Sequence, residues 1–276
     1  MDSAPKLETA MRAARTAGAM VRATAGKPLY HQWKGPRELV TGSVLPIQDK
    51  IIEIIRADFP DHAILAEEHA LSEAEGSAEK PSLETDPLWV VDPVDGTLNF
   101  SQGLPHAAIS IAYREEGVYR VGVVYDPFRD EMFHAIHGKF AHLNDLPIVV
   151  QQVSEGEDAY DQAIIGTDLP GGMKERQQAL NITGLMASQC ISVSMMGSPA
   201  LGLCYVAAGR LHAYYALGLP IWDVAAASVI LGESGGVLTD IRGGAWHHTT
   251  GGYIASNGVI HGWMYRNAVT VLDRLR

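Results

Sequence analysis

Apolar residues that recur every three or four positions predict two amphipathic helices in the amino-terminal part of the chain. The first pattern consists of Leu7, Met11, Ala14, Ala17 and Val21. The second begins near Pro46, a residue suited to a first helical turn, and continues with Ile47, Ile51, Ile54 and Ile55.

Short apolar runs predict strands over the next part of the chain, residues 63–136. Residues 63–66 form one such run, and residues 88–91 are apolar throughout, as expected of a strand buried on both faces. Between them, residues 69–86 are rich in Ser, Glu, Gly and Ala and predict an exposed loop. Turn residues separate three further runs, which predicts an antiparallel meander over 107–113, 120–125 and 131–136.

After residue 160 predicted strands and helices alternate. The strands are expected at 163–166, 191–194, 211–215, 236–239 and 253–256, and the helices at 173–187, 199–208, 220–233 and 259–275. A shift in composition around residues 145–160 marks the expected boundary. We therefore predict an α/β protein in two halves, an α+β half over residues 1–150 and an α/β half over residues 151–276.

Composition narrows the classes of function. The 276 residues carry 21 Lys and Arg against 32 Asp and Glu, a formal charge of −11, so general attraction to nucleic acid is not expected. The two cysteines form no CxxC pair and predict neither a disulfide framework nor a zinc site. The chain shows neither a signal peptide nor a stretch apolar enough to span a membrane, so we expect a cytoplasmic protein without a membrane partner.

Three groups of acids follow predicted strands or open a predicted helix. They are Glu67-Glu68, the turn segment Asp92-Pro93-Val94-Asp95-Gly96-Thr97, and Asp223. Each alone is explained by solvated turn residues or by an acid that caps a helix start. Together they predict a cage for two divalent cations, an arrangement suited to phosphoryl chemistry.

The neighbouring residues favour a phosphate ligand. Gly96 and Thr97 directly follow Asp95 and would offer backbone N–H groups and a hydroxyl to an anionic oxygen. The sequence contains no GxxxxGK[ST] loop, which argues against nucleotide hydrolysis of the P-loop type, and no Gly-x-Ser-x-Gly, so an esterase is not supported.

These segments resemble the inositol monophosphatase family, magnesium-dependent and lithium-sensitive phosphatases. The resemblance extends from about residue 34 to 256 and includes the acids above, the segment 89–100, Gly197-Ser198-Pro199-Ala200-Leu201, Trp222-Asp223-Val224-Ala225-Ala226 and Glu233-Ser234-Gly235-Gly236. It implies a layered αβαβα sandwich and a homodimer.

The resemblance also implies a role for each matched residue. Glu67, Asp92 and the Val94 carbonyl would hold one Mg²⁺, and Asp92, Asp95 and Asp223 a second. Gly96 and Thr97 would contact the phosphate, Thr97 and Glu67 would position the attacking water, and Gly197, Ser198 and Ala216 would lie at the substrate pocket. A helix cap is an equally good explanation of Ser198.

Two positions depart from the family pattern. Val44 stands where the family has an aspartate that helps to hold a third metal, which puts that metal in doubt and predicts slower catalysis or a changed metal demand. Ala216 stands where inositol-specific members have a glutamate that binds ring hydroxyls, so myo-inositol 1-phosphate is in doubt as the substrate. Asp49, about one helical turn after Val44, is a weak substitute.

The sequence therefore predicts a Mg²⁺-dependent phosphomonoesterase that acts on a small polyol or sugar phosphate through direct attack of a metal-activated water. On the same fold, fructose-1,6-bisphosphatase, histidinol-phosphatase and nucleotide 3′-phosphatase activities stay open. A metal-binding pseudophosphatase that regulates a partner is a second alternative, and a structural dimeric domain a third.

Overall fold

The computed structural model describes residues 2–27, 31–35, 38–71, 81–151, 160–247 and 249–274. Its first part contains, in order, α1 (Ala4–Thr24), β1 (His31–Gly35), β2 (Glu38–Thr41), α2 (Val44–Asp58), β3 (Ala63–Ala66), α3 (Glu67–Leu71), β4 (Leu88–Asp95), α4 (Thr97–Gln102), β5 (Ala108–Glu115), β6 (Val118–Asp126), β7 (Glu131–Ile136), β8 (His142–Leu143) and β9 (Leu146–Pro147).

The predicted helices and the antiparallel meander of the first part are confirmed, with differences in detail. The second helix begins at Val44 rather than near Pro46. The predicted loop over 69–86 starts inside α3, and its residues 72–80 lie outside the described part. The β1–β2 hairpin, α4, β8 and β9 were not predicted, because each is short and has no long apolar pattern.

The second part contains β10 (Ile164–Thr167), α5 (Met173–Ala187), β11 (Ser192–Met195), α6 (Pro199–Ala207), β12 (Ala213–Leu217), α7 (Ala225–Glu233), β13 (Val237–Asp240), β14 (Gly252–Ser256) and α8 (His261–Arg274). The predicted alternation is confirmed, apart from the helix expected over 220–233. There a 3₁₀ turn, Ile221–Asp223, precedes α7, so Asp223 lies before the α-helix and not in its first turn.

Five layers of helix and sheet make up the fold, as the family resemblance implies. Helices α1 and α2 cover one face of a seven-stranded sheet, ordered β3-β4-β5-β6-β7-β8-β9. Helices α6 and α7 lie between that sheet and a five-stranded one, ordered β11-β10-β12-β14-β13. Helices α5 and α8 cover the outer face of the second sheet. Within the described ranges, no helix combines the length and the apolarity needed to cross a bilayer.

Strand β4 is buried along its whole length, as predicted, because its two faces pack on different layers. Trp89 and Val91 belong to the apolar cluster with α1 and α2, whereas Leu88 and Val90 belong to the cluster with α6 and α7. The carboxyl end of this strand therefore lies among packed elements, where an uncompensated charge is unfavourable.

Candidate metal centre

Strands β3 and β4 run parallel and place two acids beside each other. Ala66 is paired with Val91, so the residues that follow them, Glu67 and Asp92, lie together at the same edge of the sheet. Burial and then the charge of Glu67 raise the pKa of Asp92 well above its usual range. The pairing register of two strands thus accounts for the first half of the predicted cage.

An irregularity in the β4–β5 pairing turns a second aspartate toward the same side. Asp92 lies opposite Ser110, and Asp95 lies opposite Ala108, so three steps along β4 match two along β5. Residues three apart on a regular strand point to opposite faces, but the extra residue of a β-bulge corrects this. The Val94 N–H donates to Asp92 Oδ1 at 2.9 Å and holds the turn.

Asp223 reaches the cluster from the second part of the chain. It ends the 3₁₀ turn after β12, and the carbonyl of the preceding Trp222 accepts a hydrogen bond from Ser110 Oγ at 2.9 Å. Because Ser110 is also the cross-strand partner of Asp92, this bond places the Asp223 turn beside β4.

One carboxylate oxygen from each of Asp92, Asp95 and Asp223 lies within 4.8 Å of the other two. The three residues are only 2%, 3% and 9% exposed, so the alternative of solvated turn acids is wrong for Asp92 and Asp95. Burial raises the pKa of Asp95 to about 8, against the opposing effect of its hydrogen-bond donors. Burial and then the charge of Asp95 likewise raise the pKa of Asp223. Such mutual repulsion is relieved when a cation binds.

Asp95 is held by the start of α6. Ser198 Oγ donates to Asp95 Oδ2 at 2.5 Å, and the Ala200 N–H donates to the same oxygen at 2.9 Å. Ser198 occupies the N-cap position of α6, as predicted, but its side chain makes no capping hydrogen bond to that helix. Instead Asp95 satisfies an N–H group of the first helical turn, and its other oxygen stays available to the cluster.

Asp168 was not among the predicted residues, although it holds the segment before α6. Its Oδ1 accepts the N–H groups of Met196 at 3.1 Å and Gly197 at 2.6 Å, and its Oδ2 accepts the hydroxyl of Tyr214. It directly follows β10, the same signal of an acid at a strand end that identified the other acids. That signal could have found it.

Gly96 and Gly197 approach each other closely in the backbone. Gly96 has a φ of +94°, and a Cβ at this position would lie 2.9 Å from the Gly197 carbonyl oxygen. Asn99 Nδ2 donates to the Met196 carbonyl at 2.7 Å and strengthens the contact. The predicted phosphate residue Gly96 and the predicted pocket residue Gly197 are therefore neighbours, although 101 positions separate them in the chain (197 − 96).

Thr97 and Ala216 have defined surroundings. Thr97 Oγ1 donates to the Val94 carbonyl at 3.0 Å. The hydroxyl predicted to position the water therefore contacts the carbonyl predicted to bind the metal. Ala216 is fully buried in β12, directly opposite Tyr253 of β14. The neighbour of Ala216 across the sheet is thus a large aromatic residue with a hydroxyl.

Val44, which replaces the expected aspartate, is fully buried in the apolar cluster of α1 and α2. One turn later, Gln48 Oε1 accepts the Glu68 N–H at 2.8 Å. Asp49 is 59% exposed and lies 3.5 Å from a ring nitrogen of His69. The first turns of α2 therefore place a valine in the apolar cluster and an amide against the segment that carries Glu67.

The donor set fits magnesium. Mg²⁺ prefers hard oxygen ligands, and the three groups gathered at this centre are all carboxylates. The fit also has an energetic reason, because buried acids that repel one another are stabilised when a cation compensates their charge.

Comparisons with known proteins identify the family. The model of the inositol monophosphatase family matches residues 2–272. A curated relative from Pasteurella multocida, named Nus factor SuhB, is 38% identical over 259 residues and covers 91% of each chain. An IMPase structure from Thermotoga maritima is 30% identical, with a TM-score of 0.86 and coverage of 99% of this chain and 100% of that one. An inositol monophosphatase structure from Anabaena is 31% identical, with a TM-score of 0.80 and 96% of both chains covered. The chain belongs to the inositol monophosphatase family.

Proposed function

We propose that this protein is a Mg²⁺-dependent phosphomonoesterase. The observation that supports this function best is the gathering of Asp92, Asp95 and Asp223, all buried, at one point. Glu67 beside Asp92 adds a fourth carboxylate, and two cations fit this number of acids. Bound cations would lower the pKa of a water and neutralise the phosphate oxygens.

The residues of the chain would divide the remaining work. Glu67 would accept a hydrogen bond from the attacking water and orient it together with the Thr97 hydroxyl. Gly96 and Thr97, next to Asp95, would donate to phosphate oxygens and fix the phosphorus opposite that water. Asp95 keeps one orientation because Ser198 and the Ala200 N–H hold it.

We propose a small polyol or sugar phosphate as the substrate class. Ala216 has no group that could orient a ring hydroxyl, so contact with the leaving group differs from that in inositol-specific members. The fructose bisphosphate, histidinol phosphate and nucleotide 3′-phosphate alternatives stay open for the same reason.

A panel of these phosphate esters tests the proposal with Mg²⁺ present and absent. We expect turnover of at least one ester by the wild-type protein, and a loss on the order of 100-fold or more in Asp95→Asn and Asp223→Asn. Asp126→Asn is the matched control, because Asp126 is fully buried but ends β6, where Arg129 contacts it. Full activity in both cluster variants would show that the metal assignment is wrong.

A second candidate function is regulatory, because the Pasteurella relative is named a Nus factor. That name points to an association with transcription. The expectation of no nucleic-acid partner is therefore replaced by the proposal that this protein takes part in a transcription complex. With a net charge of −11, such a role would use a protein partner rather than direct attraction to RNA. Expression of Asp95→Asn in a strain that lacks this protein would separate the two roles. If the variant has no phosphatase activity but still restores the growth of that strain, the protein has a regulatory function.

We also propose that the protein is a cytoplasmic homodimer, and that each chain consists of two halves, residues 1–150 and 151–276. The family resemblance supports the dimer, and so does β11, an edge strand at which the apolar side chains of Ile191 and Met195 are exposed. Light scattering at several protein concentrations measures the oligomeric state.

A further inference from the structure

The hydroxyl of Tyr253 is a buried donor for which the structure shows no hydrogen-bond partner among the described residues. The side chain is 2% exposed, so bulk solvent does not reach the group. Leaving a buried hydroxyl unpaired costs stability. A phenylalanine would avoid that cost, so the hydroxyl needs another explanation.

The surroundings of Tyr253 suggest where its partner lies. Its ring stacks on Tyr214 with centroids 6.2 Å apart, and the Tyr214 hydroxyl donates to Asp168. Both tyrosines lie on the face of the second sheet that is turned toward α6 and α7. Beyond burial, the charges of Asp223, Asp168 and Asp95 raise the pKa of the Tyr253 phenol, in that order of effect. Three carboxylates are thus close enough to the hydroxyl to affect its pKa.

A phenol near carboxylates acts as a hydrogen-bond donor. Among these carboxylates, Asp223 has the largest effect on the pKa of the Tyr253 phenol. In the cation-free protein Asp223 shares a hydrogen bond with Asp92. A cation that draws oxygens from both aspartates would replace that shared bond and leave a lone pair of Asp223 open to another donor.

We propose that Tyr253 is a positioning residue of the cation-loaded centre, where its hydroxyl donates to the Asp223 carboxylate and fixes the orientation of that ligand. This inference rests on the proposed function, since it requires that the centre binds Mg²⁺. It assigns no contact with the substrate. It explains why a tyrosine rather than a phenylalanine lies opposite Ala216.

The test compares Tyr253→Phe with Tyr215→Phe. Tyr215 is the matched control. It follows Tyr214 in β12 and is fully buried, but its side chain lies on the outer face of the sheet. Its hydroxyl already has partners, Thr183 Oγ1 at 2.6 Å and the Ala179 carbonyl at 3.0 Å. Urea unfolding with and without Mg²⁺, together with calorimetric titration of Mg²⁺ into the folded protein, measures both variants.

We expect opposite behaviour. Without Mg²⁺, Tyr253→Phe should be at least as stable as the wild type, whereas Tyr215→Phe should be less stable. In the titration, Tyr253→Phe should bind Mg²⁺ about tenfold more weakly, whereas Tyr215→Phe should match the wild type.

Two results would overturn the inference alone. One is unchanged Mg²⁺ affinity in Tyr253→Phe while the wild type binds the ion. The other is a loss of stability in the Mg²⁺-free variant equal to that of Tyr215→Phe. If the wild-type protein itself does not bind Mg²⁺, both this inference and the proposed function are wrong.

Discussion

Ser198 and Asp95, 103 positions apart in the chain, are joined by a hydrogen bond of 2.5 Å from Oγ to Oδ2. The bond crosses from α6 in the middle layer to the end of β4 in the seven-stranded sheet. One member of the acid cluster is therefore oriented by a residue outside that cluster.

Replacing Ser198 by alanine should weaken Mg²⁺ binding about tenfold, because Asp95 loses a donor that favours its ionised form. Ser234→Ala is the control: Ser234 is equally buried, but its hydroxyl donates at 2.8 Å to the Leu231 carbonyl of the preceding helix. Calorimetric titration measures both variants. Equal Mg²⁺ affinities in the two would contradict the role of Ser198.

Asp223→Asn should stabilise the protein when no divalent cation is present. Burial and repulsion by Asp95 and Glu67 raise the pKa of Asp223, so a neutral isostere removes an unfavourable charge. The same variant should lose the stabilisation that Mg²⁺ gives the wild type. Thermal melts with EDTA and with Mg²⁺ check both effects, and a variant that melts lower than the wild type in EDTA would contradict the first.

The stability of the cation-free protein should fall as the pH rises. The pKa of Asp95 is about 8 in the fold, against about 3.9 for an unfolded aspartate. The protonated form therefore favours the fold, and its contribution is complete below about pH 4 and is lost as the pH passes the folded value. The free energy of unfolding of the wild type minus that of Asp95→Asn should decrease between pH 5 and pH 8.5 in EDTA. A difference that is constant over this range would contradict the shift.

Val44→Asp tests the departure from the family pattern. Because Val44 is fully buried in an apolar cluster, an aspartate should cost a few kcal/mol of stability without Mg²⁺. If the position faces the cation site, as the family resemblance implies, Mg²⁺ should restore more stability to this variant than it adds to the wild type. Val44→Asn, which adds a polar group without the charge, is the control. Equal Mg²⁺ effects in all three proteins would show that Val44 does not adjoin the ion.

Gly96→Ala tests the close approach to Gly197. A positive φ alone costs an alanine residue roughly 1–2 kcal/mol of stability. Gly138→Ala is the control that measures this cost, because Gly138 has a φ of +81° and open space around its Cα. Gly96→Ala should lose about 1–3 kcal/mol more, because its Cβ would meet two carbonyl oxygens. Equal losses of unfolding free energy in the two variants, measured with urea, would show that the segments around Gly96 and Gly197 move apart freely.

Long periodic patterns made most of the fold predictable from the sequence. The meander strands, α5 and α8 follow from apolar spacing alone, and the buried run at 88–91 correctly indicated a strand covered on both faces. The acid cluster was predicted from acids at strand ends. The β-bulge that brings Asp95 to the side of Asp92 left no sequence signal, because it depends on which residues of β5 lie opposite.

Contacts between distant segments were also beyond the sequence patterns. Ser198 reads as a helix cap, yet its partner is Asp95. The unpaired hydroxyl of Tyr253 depends on the packing of two strands and a helix layer, which periodicity does not describe.

The position of Asp223 has a consequence for the order of events in folding. Asp92 and Asp95 belong to a strand of the seven-stranded sheet, whereas Asp223 follows a strand of the five-stranded sheet. Neither sheet alone can present the three oxygens together, so the binding centre comes into being only when the sheets have docked through α6 and α7. A cation bound at this point would stabilise only the assembled protein: it would slow the separation of the sheets and would not stabilise the chain before they meet.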